Sequence, residues 1–119
     1  MATQQEIERF LAEIREKIRV FGIVFRPRKK NLDALLELDI VPIDRINYLC
    51  KLTSENYYRG PRNDTHNPDR PDYYEFGMQI KGVEVYIKIS LGLNDKPVDC
   101  MSFHNAERPI WYPLKKKES

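Results

Sequence analysis

Glu75, Tyr86, Lys88 and His104 bring a carboxylate, a phenol, an ammonium and an imidazole into the second half of the chain. General acid–base chemistry needs titratable groups of different acidity within reach of one substrate, and these four supply such a set without a metal. Imidazole titrates near neutrality unless perturbed, so His104 is the natural proton carrier among them. Their spacing places them on one surface. Residues 74–80 alternate with Tyr74, Phe76, Met78 and Ile80 on the apolar side; residues 83–91 alternate with Val83, Val85, Ile87, Ile89 and Leu91. Period two reads as two strands, and Lys81-Gly82 as the tight turn between them. Ile80 then faces Val83, Gln79 faces Glu84, Gly77 faces Tyr86 and Glu75 faces Lys88. A slip of one residue would turn the apolar set outward, so the register is strongly specified. Lys-Gly is not the favoured two-residue turn, which leaves a bulge there as the competing expectation. Gly77 opposite Tyr86 predicts open space above the sheet. In a last strand over 97–104, Met101 and Phe103 are assigned to the core, with Cys100, Ser102 and His104 on the face of Tyr86 and Lys88. The same pattern also describes an ordinary solvated face with a salt bridge, worth at most about 1 kcal/mol.

The elements that must carry these strands come first in the chain. Ile7, Phe10, Leu11, Ile14 and Ile18 form one stripe at period 3.6, predicting a helix over 3–19 with Thr3 and Glu6 as its capping box. Residues 20–25 read as a short strand ended by Pro27. Asn31 is expected to cap a second helix with Leu32, Leu35 and Leu36 on its apolar side. Pro42 suits the first turn of a third, burying Ile43, Ile46, Leu49 and Cys50. Thr53 caps a short turn through Asn56. Residues 60–72 form a polar, proline-rich loop, long enough to suggest function or mobility. Helices followed by an antiparallel sheet predict an α+β fold, the N-terminal helices packed on one face of a C-terminal antiparallel sheet.

Composition narrows the function classes. The 119 residues fit one domain, 1–119, and 32 % of them are charged, above the roughly 25 % usual for globular chains. No apolar run approaches a membrane span, the polar opening Thr3–Glu6 does not read as a secretory signal, and two cysteines fit a reducing cytosol, so a cytoplasmic protein without a membrane partner is expected. Cys50, Cys100, His66 and His104 are not at zinc-ligand spacing. Cys100 reads as a small sheet residue and His66 as a solvated loop residue. Net charge is +2, unevenly spread. The basic runs are Arg26-Pro27-Arg28-Lys29-Lys30 and Lys115-Lys116-Lys117. They are either a solvated loop and tail or contacts for a phosphate backbone, through Arg26, Arg28 and Lys29 above all. Tyr57, Tyr58, Tyr73 and Tyr74 either pack the sheet or stack bases. Trp111 and Tyr112 between two prolines are expected to pin the tail, or to form a partner-binding strip.

Three stretches carry a resemblance: Leu52-Thr53-Ser54-Glu55-Asn56-Tyr57-Tyr58-Arg59, Val83-Glu84-Val85-Tyr86-Ile87-Lys88-Ile89 and Asp99-Cys100-Met101-Ser102-Phe103-His104. In this order, over roughly residues 30–104, the chain resembles the MqsR family of bacterial toxins, messenger-RNA endoribonucleases of RelE-like fold. The resemblance implies an antiparallel sheet whose exposed face cleaves RNA without a metal or other cofactor. It implies a messenger-RNA substrate, a cognate antitoxin as partner, and no binding of DNA by the chain alone. Its site residues map onto Arg59 after the aromatic pair, Tyr86 and Lys88 two apart on one strand, Glu75 after Tyr74, and His104 after Ser102-Phe103. Tyr58 and Tyr74 then belong to the RNA-binding surface with Arg26, Arg28 and Lys29. The chain departs from the family pattern at three places: Arg for Lys at 59, Glu for an amide residue at 75, and His for Lys at 104. The first keeps the charge. The others change the acid–base groups and leave open a branch with another activity. The long first helix and the tail 106–119 are additions to the shorter family pattern.

The implied reaction is attack of an RNA 2′-hydroxyl on its own phosphodiester. His104 and Glu75 divide the acid and base roles, in either order. Lys88 and Arg59 stabilise the phosphorane, and Tyr86 stacks a base or donates to phosphate. The alternative is a non-catalytic module of the same fold that binds RNA or protein.

Overall fold

A computed structural model describes residues 1–116; Lys117 of the basic tail, with Glu118 and Ser119, lies outside them. The first helix, α1 (Gln4–Phe21), opens on the expected capping box: the Thr3 hydroxyl accepts from the Glu6 amide, and the Glu6 carboxylate accepts from the Thr3 amide. It runs past the predicted end, so Val20 and Phe21 are helical, and the strand is only β1 (Ile23–Phe25). Gly22 makes the break at φ +79°, where a side chain would be strained.

Helix α2 (Lys29–Glu37) starts earlier than expected, and Asn31 is not its cap. Asn31 is buried inside the first turn. It donates to the carbonyls of Arg26 and Met101 and accepts from the Phe103 amide. One side chain thus ties α2 to the last strand. With Asn31 inward, Ala34 and Leu38 face the core while Leu32 and Leu36 are exposed, against the predicted stripe. In α3 (Asp44–Cys50) the buried residues are Arg45 and Leu49, and Ile43 and Cys50 are exposed. The Arg45 guanidinium lies 3.9 Å from the centroid of the Phe25 ring, which lets a cation take the inward place. The Thr53 cap and its turn over Ser54–Asn56 are as expected.

Five strands form one sheet in the order β1-β5-β4-β3-β2, with β2 (Tyr57–Arg62), β3 (Tyr73–Ile80), β4 (Val83–Ser90) and β5 (Val98–Asn105). The α+β class holds, but the sheet is mixed: β1 from the helical half runs parallel to β5 at one edge. Strand β2 replaces the start of the predicted loop. The β3–β4 register is the predicted one from Ile80↔Val83 to Glu75↔Lys88. Lys81 and Gly82 take φ +51° and +82°, positive at both central positions as a type I′ hairpin requires, so no bulge intervenes.

Bulges occur elsewhere. Between β4 and β5 the pairing passes from Lys88↔Ser102 to Ile89↔Cys100, so Met101 is one extra residue. It reverses the predicted sides at that end: Cys100 is in the core and Asp99 turns to the outer face. Between β2 and β3 the pairing passes from Tyr57↔Phe76 to Arg59↔Glu75, so Tyr58 is the extra residue. The helices share a core with the inner sheet face, built on Ile7, Ile14, Leu49, Phe76, Ile87 and Phe103. The outer face is partly roofed by the segment after β5. Ile110 N and Tyr112 Oη donate to the Glu84 carboxylate at 3.0 and 2.9 Å. The predicted open space above Gly77 is therefore filled: a Cβ there would come within 2.5 Å of Tyr112 Oη and 2.6 Å of Ile110 Cδ1. Tyr112 pins this segment as expected, whereas Trp111 is exposed.

Candidate active site

The outer face brings together the five residues singled out for chemistry, and strand pairing explains how. Gly77↔Tyr86 and Tyr86↔His104 make one row; Arg59↔Glu75, Glu75↔Lys88 and Lys88↔Ser102 make the next. Arg59 joins only because of the Tyr58 bulge, since unbroken pairing from Tyr57↔Phe76 would set it opposite Tyr74 on the inner face.

Glu75 is the centre. It is 2 % exposed, and a buried carboxylate is tolerated only when fully partnered. Arg59 donates to both oxygens, Nε to Oε2 at 2.6 Å and Nη2 to Oε1 at 3.3 Å. Tyr86 Oη donates a short hydrogen bond to Oε1, and Arg62 Nη1 stands 4.0 Å from Oε2. Burial and the bond to Glu75 push the Tyr86 phenol far above the usual tyrosine range, so it is a neutral donor. The bond to Glu75 holds the Arg59 guanidinium still more firmly protonated than usual.

Lys88 does not bridge to Glu75 as the pairing suggested. Its Nζ lies 4.2 Å from the centroid of the Tyr73 ring. Burial lowers its pKa, and the charges of Arg28 and Arg26 push the same way; Glu75 and Asp64 oppose the shift. His104 is half-buried, its ring centroid 5.4 Å from that of Tyr86. Its Nδ1 is 2.9 Å from the Asn105 carbonyl, which can only accept; Nδ1 therefore carries a proton, and Nε2 is the ring's acceptor when neutral.

A cleft of about 300 Å³ opens over Arg59, Tyr86 and His104; Glu75 and Lys88 lie on the same sheet face but do not line it. Tyr58, Arg59, Tyr86 and His104 form its sheet side; Ala106, Glu107, Arg108 and Ile110 form the opposite wall. Tyr58 is half-buried, with the Arg59 guanidinium 4.6 Å from its ring centroid.

The other predicted contacts separate. Tyr74 lies on the inner face against Phe10, ring centroids 4.0 Å apart, away from the site. Arg26 is committed to Asp99 through two bonds of 3.0 and 2.7 Å, which Arg70 joins at 3.3 Å. Lys29 is exposed and paired with Asp33 at 2.7 Å; Arg28 is exposed, near enough to Lys88 to act on its charge. Two contributors escape sequence reasoning. Asp99 arrives through the Met101 bulge, which has no compositional mark. Arg108 sits in a segment without period; the proline-flanked pair Trp111 and Tyr112 signals that the segment is pinned but does not single out Arg108. Among the described residues no three His, Cys, Asp or Glu side chains gather as a metal-binding group, and no helix is long and apolar enough to cross a membrane.

No family model matches the chain, and comparison with curated proteins and with solved structures finds no match either.

Proposed function

We propose that the protein is a metal-independent endoribonuclease that cleaves single-stranded RNA through the 2′-hydroxyl, the toxin of a bacterial toxin–antitoxin pair. The observation that carries the chemistry is one cleft in which His104, Arg59 and Tyr86 meet beside a half-buried aromatic ring. The toxin assignment, with messenger RNA as substrate and an antitoxin as partner, rests on the MqsR-like stretches.

In this reading His104 Nε2 takes the proton of the 2′-hydroxyl as its oxygen attacks phosphorus. Arg59 holds a non-bridging oxygen and offsets charge in the phosphorane. Lys88 gives a proton to the departing 5′-oxygen, a task made easier by its lowered pKa. The P–O5′ bond breaks, leaving a 2′,3′-cyclic phosphate and a 5′-hydroxyl. Glu75 has both oxygens engaged and acts as a positioning residue that fixes Arg59 and Tyr86 rather than as the base.

RNA cleavage by the purified protein in excess EDTA tests this, with His104→Ala and Lys88→Ala alongside and end-group analysis of the products. Cyclic-phosphate ends, with losses of about 10²-fold or more in both variants, are expected. Equal cleavage by all three proteins, or none by the parent on free RNA or on ribosome-bound messenger, would overturn the reading.

A further inference from the structure

The wall of the cleft opposite the sheet holds two charged side chains, Glu107 and Arg108. Glu107 is bonded to Lys30, and Arg59 on the sheet side is bonded to Glu75. Among the described residues Arg108 pairs with no carboxylate within 4.0 Å, so it brings the unbalanced positive charge. The wall itself is fixed: Ala106 N donates to Glu84 O at 2.9 Å, and the Glu84 carboxylate accepts from Ile110 and Tyr112. Arg108 is thus set between two anchored points, facing Tyr58, Arg59 and His104 across a space of about 300 Å³, at the small end of ligand pockets. A guanidinium carried on an anchored segment suits a phosphate, and a half-buried tyrosine ring suits the face of a base.

We propose that this cleft is a subsite for one nucleotide, its phosphate held by Arg108 together with Arg59 and its base laid on Tyr58. The inference rests on the endoribonuclease reading for its physiological ligand, but not for its test. In a strand crossing the face, Arg108 grips the phosphate beside the nucleotide whose 2′-hydroxyl meets His104. The segment after β5 is then part of the binding surface and not a cover for it.

The probe is adenosine 3′-monophosphate, titrated by NMR into the full chain and into Arg108→Ala, Arg108→Lys and Tyr58→Leu, with adenosine and inorganic phosphate titrated separately. Arg108 is exposed, so its replacements leave the fold intact, which the spectra of the free proteins check directly. Shifts confined to Tyr58, Arg59, His104 and residues 106–110 are expected. Arg108→Ala should weaken binding about tenfold or more, and Arg108→Lys should keep part of the affinity. Tyr58→Leu should weaken the nucleotide but not inorganic phosphate, and adenosine or phosphate alone should bind less tightly than the nucleotide. Equal affinity in Arg108→Ala, or shifts elsewhere, would overturn the subsite. Because the titration reads binding without cleavage, its failure beside intact RNA cleavage sinks the subsite alone. Nucleotide binding through Arg108 beside an absence of cleavage sinks the nuclease reading alone.

Discussion

Arg59 and Glu75 form an unequal pair: their charges meet at 2.6 Å, but the Arg59 side chain is 47 % exposed and that of Glu75 only 3 %. Removing either partner therefore has different consequences. Without Glu75, the guanidinium turns to water. Without Arg59, a carboxylate stays buried with Tyr86 and a distant Arg62. In urea unfolding, Arg59→Ala is expected to lose about 3–5 kcal/mol and Glu75→Gln about 1–3 kcal/mol. The reverse order would show that the carboxylate is not the constrained member.

Tyr86 makes stability depend on alkaline pH. Its phenol is held protonated in the folded chain above the ordinary value near 10.0, by burial first and by Glu75 second. Below that value both states keep the proton and the contribution is complete. Above it the unfolded chain releases a proton that the folded chain retains, so stability falls as pH rises. Burial raises the phenols of Tyr74 and Tyr112 as well, so the informative quantity is the difference between parent and Tyr86→Phe. The variant should be about 1 kcal/mol less stable at neutral pH and show a shallower decline above pH 10.

At Lys88 the sign is opposite. Burial disfavours its ammonium, so the folded chain gives up that proton at a lower pH than the unfolded chain does. The penalty stands at neutral pH and is relieved as pH rises through the lowered pKa. Lys88→Met should consequently fold as stably as the parent, or more so, within about 1 kcal/mol, while RNA cleavage falls about 10²-fold. In the parent, the alkaline limb of the cleavage profile should lie below the ordinary lysine value of 10.5. A limb at or above that value would remove Lys88 as the proton donor.

Gly77 lies directly beneath the ends of Ile110 and Tyr112 in the segment after β5. A methyl group there meets the ends of Ile110 and Tyr112 rather than backbone, so the segment is the part that yields. Gly77→Ala is expected to cost about 1–3 kcal/mol, to leave the β3–β4 amide shifts in place, and to speed proteolysis at residues 106–112. Unchanged cleavage of that segment would mean that its anchorage lies with Glu84 alone.

The β3–β4 hairpin is legible in the sequence because its outer and inner residues alternate without interruption, and one slip would expose the whole inner set. Glu75, Tyr86 and Lys88 follow from that alternation, and His104 from assigning its neighbour Phe103 on the last strand to the core. Other parts are not legible for definite reasons. Tyr58 and Met101 are single extra residues of types common in regular strands, yet each turns the residues beyond it to the other face. Gly60-Pro61 reads as loop, although β2 carries both residues. Asn31 matches a helix cap by type, and only its partners across the core, Arg26, Met101 and Phe103, show why it sits inside. Leu32 and Leu36 are turned outward by the same rotation.

Strand β5 lies between β1 and β4 but leaves the ribosome after both. Until residues 98–105 arrive, the sheet is two separate pieces with open edges, and Asn31 lacks two of its three bonding partners. His104 and Arg108 belong to this late portion. Chains are made at about 5–20 residues per second, N-terminus first, so each molecule passes through an interval in which Glu75 and Lys88 exist without their counterpart. Synthesis order thus keeps the cleft unfinished until β5 and the segment after it have emerged.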